Sequence, residues 1–237
     1  MSKRIFQSKR SGEESWISVS DLMAGLMMVF LFIAVVYARD VQKSDARTHG
    51  IEWQNTEQAI SDALHEEFSQ RELRKWGAEI IDENLTIRFT APEVLFADGK
   101  DEIPRRFKKI LDEFMPRYID LLANNFADDI DEVRIEGHTS SKFLAARDDN
   151  DAFIRNMELS QDRTLAVLEY SFGLSKLQKH DKWMRDKVSA NGLSSARIRT
   201  FADGKEDEDR SRRVEFTIKT KTREALQKVI ATNEAGQ

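Results

Sequence analysis

One carboxylate stands where charge is costly. Asp21 lies in an apolar segment, residues 16–37, and the run that follows it, residues 22–36, carries no charge. A carboxylate in a lipid-spanning helix costs roughly 2.5–3.5 kcal/mol on insertion scales. It persists there when it is protonated, or when it faces water or a protein partner. The chemistry such a group can do is reversible protonation, so Asp21 is the candidate ion-relay residue. A second candidate is His138 in Gly137-His138-Thr139, but no serine or cysteine nucleophile accompanies it, and it reads as a structural histidine. His49, His65 and His180 are scattered without metal-ligand spacing, so no metal site and no cofactor is expected.

Composition narrows the classes further. The chain has 237 residues, enough for one spanning helix and one globular domain. Its formal charge of −5 argues against nucleic acid as a main partner, since phosphate binding needs a basic surface. Cysteine is absent, which removes disulfides, thiol nucleophiles and cysteine-based zinc sites. With no catalytic constellation visible, the chain is not expected to be an enzyme.

Asp21 must be positioned by a helix. At about 1.5 Å per residue, residues 16–37 reach about 33 Å, the thickness of a bilayer core. Trp16 and Tyr37 bracket the run as interfacial anchors. Helical spacing places Ala24, Gly25 and Met28 on the Asp21 face, where small residues favour close helix packing, and Phe30, Phe32 and Ile33 elsewhere. Lys3, Arg4, Lys9 and Arg10 favour a cytoplasmic N-terminus. A signal peptide is the rival reading, because Val36-Tyr37-Ala38 resembles a cleavage site. The uncharged stretch is longer than the usual h-region of about 7–15 residues, however. The expected organisation is a cytoplasmic tail over residues 1–15, a transmembrane helix over 16–38, a periplasmic, helical linker over 39–83 and an α/β domain over 84–237. In the linker, Ile60, Leu64, Phe68, Leu73, Trp76 and Ile80 recur at near-helical steps.

In the last region, residues 85–90 alternate as a half-buried strand, and Pro104 opens a helix carrying Phe107, Ile110, Leu111, Phe114, Tyr118, Leu121 and Leu122. Residues 133–137 read as a strand, residues 159–168 as a helix with Ser160 near its start, and residues 198–201 and 214–218 as further strands. This order implies a mixed sheet with helices on one face.

Three blocks in this region, Ile135-Glu136-Gly137-His138-Thr139, Asn156-Met157-Glu158-Leu159-Ser160-Gln161-Asp162-Arg163 and Arg212-Arg213-Val214-Glu215, resemble the OmpA-like peptidoglycan-binding domain in their wording and order. The resemblance covers about residues 84–220. It implies that the domain holds a stem-peptide diamino acid, with Arg163 as the carboxylate-binding arginine and Asn156 and Leu159 shaping the pocket. A planar guanidinium suits bidentate carboxylate capture. Ser140 departs from the pattern: the family carries an aspartate there, which meets the ligand's ammonium group. One of Asp148, Asp149 and Asp151 could replace that charge.

A single membrane helix with an early acid, a linker and an OmpA-like domain resembles the plan of MotB-type stator subunits. The wording Ser20-Asp21-Leu22-Met23-Ala24-Gly25-Leu26-Met27-Met28 is similar to the ZorB subunits of Zorya anti-phage defence systems. That resemblance implies an inner-membrane stator driven by proton flow, two copies of this chain inside a ring of five ZorA-like multi-helix subunits, and attachment to peptidoglycan. A flagellar MotB-type stator and a passive wall anchor remain as alternatives.

Overall fold

The computed structural model describes residues 11–90, 96 and 99–221, with side chains described for 22–38, 55–90, 96 and 99–221. The chain divides into two compact units, Met1–Ile51 and Glu52–Gln237. Helix α1 (Ser11–Glu67) contributes to both. In the first unit the backbone of Asp21 lies within α1, while its side chain, and that of Trp16, lie outside the described residues. From Leu22 to Tyr37 the large apolar side chains are exposed, Phe30 to 65%. Among the described residues, no helix is long and apolar enough to cross a membrane.

The second unit folds around a five-stranded sheet. Its first local signal is a capping box. The Ser69 hydroxyl accepts from Glu72 N–H at 3.3 Å, while the Glu72 carboxylate accepts from Ser69 N–H at 3.1 Å. This starts α2 (Gln70–Trp76), and Gly77 ends it with φ 67°, a left-handed cap that a side chain would resist. The elements that follow are β1 (Ala78–Ile81), β2 (Thr86–Phe89), α3 (Arg105–Asn125), β3 (Ile130–His138), α4 (Asp149–Phe172), α5 (Asp181–Lys187), β4 (Val188–Gly192), α6 (Glu208–Ser211) and β5 (Arg213–Thr220). Pro104 sits at the N-cap of α3.

The strand order is β1-β2-β5-β3-β4. Strands β3 and β4 run parallel, joined through α4 and α5, and the other pairs are antiparallel. The sheet is therefore mixed, as expected. Alternation then sorts its faces. Ile87 and Phe89 of β2, Val133 and Ile135 of β3, and Val214, Phe216 and Ile218 of β5 share one buried cluster with residues of α1 to α5. Phe114 of α3 sits at its centre, 4.9 Å from the Tyr118 ring and 5.1–5.3 Å from the rings of Phe216, Phe89 and Phe68. Ring pairs at such spacing add to the area they bury. The helices therefore share one face of the sheet.

Three expectations are corrected. The helical reading of residues 60–80 stops short, because α1 ends at Glu67 and Gly77 turns the chain into β1. Ile60, Leu64, Phe68, Leu73 and Trp76 are buried in the domain core rather than strung along a linker. Arg117 of α3 fastens this region. Its Nε donates to Glu67 at 2.6 Å and its Nη1 to Glu72 at 2.9 Å, with the guanidinium over the Phe68 ring. Second, residues 198–201 form no strand. They carry one isolated bridge, Thr200 to Glu206, and Phe201 is exposed. The edge strand is β4 instead. Third, α4 begins ten residues before the expected helix, capped by the Asp148 carboxylate on Asp151 N–H at 2.8 Å, which leaves Ser160 in its middle.

Candidate ligand pocket

Two glycines let α4 lie close against the sheet. A Cβ on Gly137 would stand 2.7 Å from Thr164 Cγ2 and 2.8 Å from the Ser160 carbonyl oxygen. One on Gly192 would stand 2.4 Å from the backbone nitrogen of Gln161. Only glycine fits these approaches without a shift of backbone. Hydrogen bonds lock the same seam. Ser194 N–H donates to Ser160 Oγ at 3.0 Å, and Gly192 N–H to the Gln161 side chain at 2.8 Å. The Gly-His-Thr motif thus serves first to seat α4.

Beside that seam the chain leaves a cavity of about 350 Å³. It is lined by all four residues expected at a ligand site, Ser140, Asn156, Leu159 and Arg163, together with Thr139, Lys142, Glu208 and Arg212 among others. Asn156 is buried and holds the loop after β3, donating to the carbonyls of Ser140 at 3.1 Å and Lys142 at 3.3 Å. Leu159 is half-buried and gives the pocket an apolar wall. Arg163 is largely buried. Its Nε donates to the Lys100 carbonyl at 2.8 Å, and its guanidinium lies over the Phe96 ring at 5.0 Å from the centroid. These contacts fix the plane of the fork, which is what carboxylate recognition needs.

The acidic stretch before α4 does not supply the charge that Ser140 lacks. Asp148 caps the helix, and Asp151 accepts from Arg147 N–H at 2.9 Å and pairs with Arg155 at 3.1 Å. Neither they nor Asp149 line the pocket. The acid that does is Glu208, from α6, and it is clasped by Lys142 at 2.5 Å. Hydrogen bonding to Glu208 holds the Lys142 ammonium above its usual range. Arg212, the residue before β5, completes the wall and pairs with Asp209 at 2.5 Å. Two buried groups of this wall, Arg212 Nε and Thr139 Oγ1, have no hydrogen-bond partner among the described residues. Lys142 and Glu208 were not singled out in the sequence, because a loop and a four-residue helix carry no periodic signal.

On the sheet face opposite the helices lies a buried charged cluster. Glu215 Oε1 accepts from Arg88 Nε and Arg213 Nε, each at 2.7 Å. Burial opposes ionisation of Glu215, but the His138 ring and the Arg213 guanidinium outweigh it and hold the carboxyl well below its usual range. Glu136, His138 and Glu215 bring three ligand-type atoms within 4.8 Å of one another, the one such group among the described residues. Two guanidinium groups already neutralise Glu215, and a divalent cation would add positive charge beside them, so the geometry fits an ion-pair network better than a metal centre. His138 Nε2 stands 3.5 Å from Glu215 Oε2, too far for a well-formed hydrogen bond. Burial pushes its pKa down, with Arg213 adding to the shift and Glu215 opposing it. Burial thus keeps the ring neutral, and neither of its nitrogens has a hydrogen-bond partner among the described residues, so it is not the satisfied histidine that the motif suggested.

No family model matches the chain. Zorya protein ZorB from Escherichia coli (strain ATCC 8739) is 42% identical over 224 residues, which cover 94% of each chain. Among solved structures, a putative MotB like protein from Desulfovibrio vulgaris covers 70% of this chain and 96% of its own, at 22% identity and a TM-score of 0.49. The cell wall anchor of the T6SS from Pseudomonas aeruginosa covers 64% of this chain and 93% of its own, at 19% identity and a TM-score of 0.43. The periplasmic domain of Helicobacter pylori MotB covers 66% and 90%, at 15% identity and a TM-score of 0.44.

Proposed function

Since this chain belongs to the ZorB family of Zorya proteins, we propose that it is the ion-conducting, wall-anchored stator subunit of a proton-driven membrane motor in anti-phage defence. In this reading residues 1–15 are cytoplasmic, residues 16–38 cross the inner membrane and the α/β domain stands in the periplasm. The domain is OmpA-like and grips peptidoglycan, while a ZorA-like membrane subunit supplies the rest of the ion path. The observation that carries the wall-binding half is the convergence of Ser140, Asn156, Leu159 and Arg163 on one cavity. Arg163 would take the carboxylate of a stem-peptide diamino acid, Leu159 its methylene chain, and Asn156 would hold the loop that closes over it.

The motor half rests on Asp21. Protonated, the side chain is neutral and tolerates an apolar groove. Deprotonated, it seeks water or a polar partner. If the two states face opposite aqueous sides, the cycle converts a proton gradient into alternating helix contacts. One charge moved across 100 mV supplies about 2.3 kcal/mol, enough to bias packed helices between two arrangements. Residues 16–37 offer a single acid, Asp21, and the ZorA-like partner supplies the rest of the path.

Asp21→Asn tests this reading. Asparagine keeps the shape and cannot cycle through a charge. In cells carrying the complete system, the variant should be expressed and should copurify with its membrane partner at the level of the parent, yet give no protection against phage. Full protection at equal expression would refute the relay.

A further inference from the structure

Residues 198–201 join no sheet, yet the turn they begin reaches the pocket. Much of the pocket wall comes from the loop after β3, which includes Ser140, Lys142 and Leu144. That loop belongs to neither β3 nor α4, so contacts from elsewhere must set its course. On its inner side Asn156 takes the carbonyls of Ser140 and Lys142, and Thr139 N–H donates to the Ser194 carbonyl at 2.9 Å. On its outer side one carboxylate takes the residue between those two carbonyls. Glu206 Oε1 accepts from Ser141 N–H at 3.0 Å, and Glu206 Oε2 accepts from the Ser141 hydroxyl.

Glu206 is itself held by the turn that it closes. Phe201 N–H donates to the Lys205 carbonyl at 2.8 Å and Asp207 N–H to the Arg199 carbonyl at 2.7 Å. Gly204 takes the φ of 83° that the reversal needs, and Thr200 bridges to Glu206. The base of the turn is anchored inside the domain, where Arg199 N–H donates at 2.9 Å to Ser211, which is completely buried. The turn thus carries a fixed carboxylate from the interior to the pocket loop. Gripping both the N–H and the hydroxyl of Ser141, that carboxylate fixes the residue's orientation, and the planar peptide bond passes the orientation to Ser140 on the pocket side. Glu206 is not among the residues that line the pocket. Taking the wall-binding reading as premise, we propose that Glu206 is a positioning residue for ligand capture, acting through Ser141 on the loop that meets the ligand.

The test uses the purified full-length chain in detergent, pelleted over a range of cell-wall sacculus concentrations, with thermal melting in parallel. Glu206→Ala should raise the half-saturating sacculus concentration by about threefold to tenfold, the range for a lost hydrogen bond or two. Its thermal midpoint should stay at the parent's, because the contact lies at the exposed surface. Glu206→Gln keeps an acceptor for the N–H and a partner for the hydroxyl, so it should restore most of the affinity. Ser141→Ala should lose less than Glu206→Ala, and the two together should lose less than their separate effects combined, as coupled residues do. Parent-like pelleting by Glu206→Ala would overturn the proposal. So would a loss of binding matched by a fall in thermal midpoint, or an equal loss in Glu206→Gln. Failure of the parent itself to pellet would sink the wall-binding reading, and this inference with it.

Discussion

Phe30 and Phe114 are the same residue in opposite circumstances. Phe30 is 65% exposed on α1, among neighbours that are all apolar and all exposed. Phe114 is completely buried, ringed by Phe68, Phe89, Tyr118 and Phe216. The domain satisfies its aromatic residues from within its own chain. The run along residues 22–38 has no such cover from the described residues of this chain, and an exposed apolar stretch of that size asks for an apolar surrounding from outside, lipid or partner helices. Hydrophobic composition alone does not say which fate a segment has. The spacing does: the domain residues recur on one stripe with charges between them, whereas residues 22–38 are apolar all round.

Truncating the two rings should have opposite results. Phe114→Ala should cost the domain about 3–5 kcal/mol, the range for a fully buried aromatic, read as a large drop in its thermal midpoint. Phe30→Ala should leave that midpoint unchanged and act on membrane retention alone. A fall in domain stability from Phe30→Ala would show that the two regions share a core.

A smaller effect separates packing from ligand capture inside the domain. Arg163→Ala should weaken pelleting with cell-wall sacculi by roughly tenfold to hundredfold, the equivalent of about 1.5–3 kcal/mol for a charge-assisted hydrogen bond. Arg163 is largely buried over Phe96, so a modest change in melting is expected alongside. Pelleting like the parent would place the wall contact elsewhere.

The residues behind these two predictions were legible to different degrees. Phe114 was found by helical period, and Arg163 by its place in a spaced motif. The sheet was legible where apolar and polar residues alternate, in β3 and β5. It was not in β4, Val188-Ser189-Ala190-Asn191-Gly192, a half-buried edge strand whose small polar residues follow no pattern. The apolar residues of 198–201 suggested a strand, yet Ile198 and Phe201 face solvent. Gly77 was a readable stop signal, and it explains why the helical reading of residues 60–80 ran too far. Glu208 and Lys142 meet only through tertiary folding, 66 positions apart in the sequence numbering of the ion pair they form.

The smallest expected effect is on pH dependence, and it contrasts the two faces of the sheet. Among the described residues the sheet's apolar face is lined by hydrocarbon, while its other face carries His138 and Glu215. His138 has a depressed pKa in the folded domain, so below about pH 6.5, the ordinary imidazole value, the unfolded chain binds the extra proton. Its contribution is complete above that value and is lost as pH falls towards the folded pKa. Glu215, also depressed, adds a second loss that begins only below its ordinary value of 4.5. Denaturant melts at pH 7, 6 and 5 should show falling stability, and His138→Gln should flatten that slope and reduce the loss below pH 4.5, which Arg213 would then sustain. A slope unchanged by His138→Gln would assign the first window to another group.

The glycine seam between α4 and the sheet has a mechanical consequence. Arg163, Asn156 and Leu159 all ride on α4, and α4 is keyed into β3 and β4 at Gly137 and Gly192 with no slack for a single methyl group. A pull applied at the pocket along α4 would load that seam and pass to β3, which is hydrogen-bonded to β5 over nearly its whole length. Shear across a long antiparallel ladder loads many bonds at once instead of unzipping them singly. Substituting alanine at either glycine should lower the force the domain withstands before it lowers the affinity of the pocket, so that the anchor slips under tension while still binding at rest.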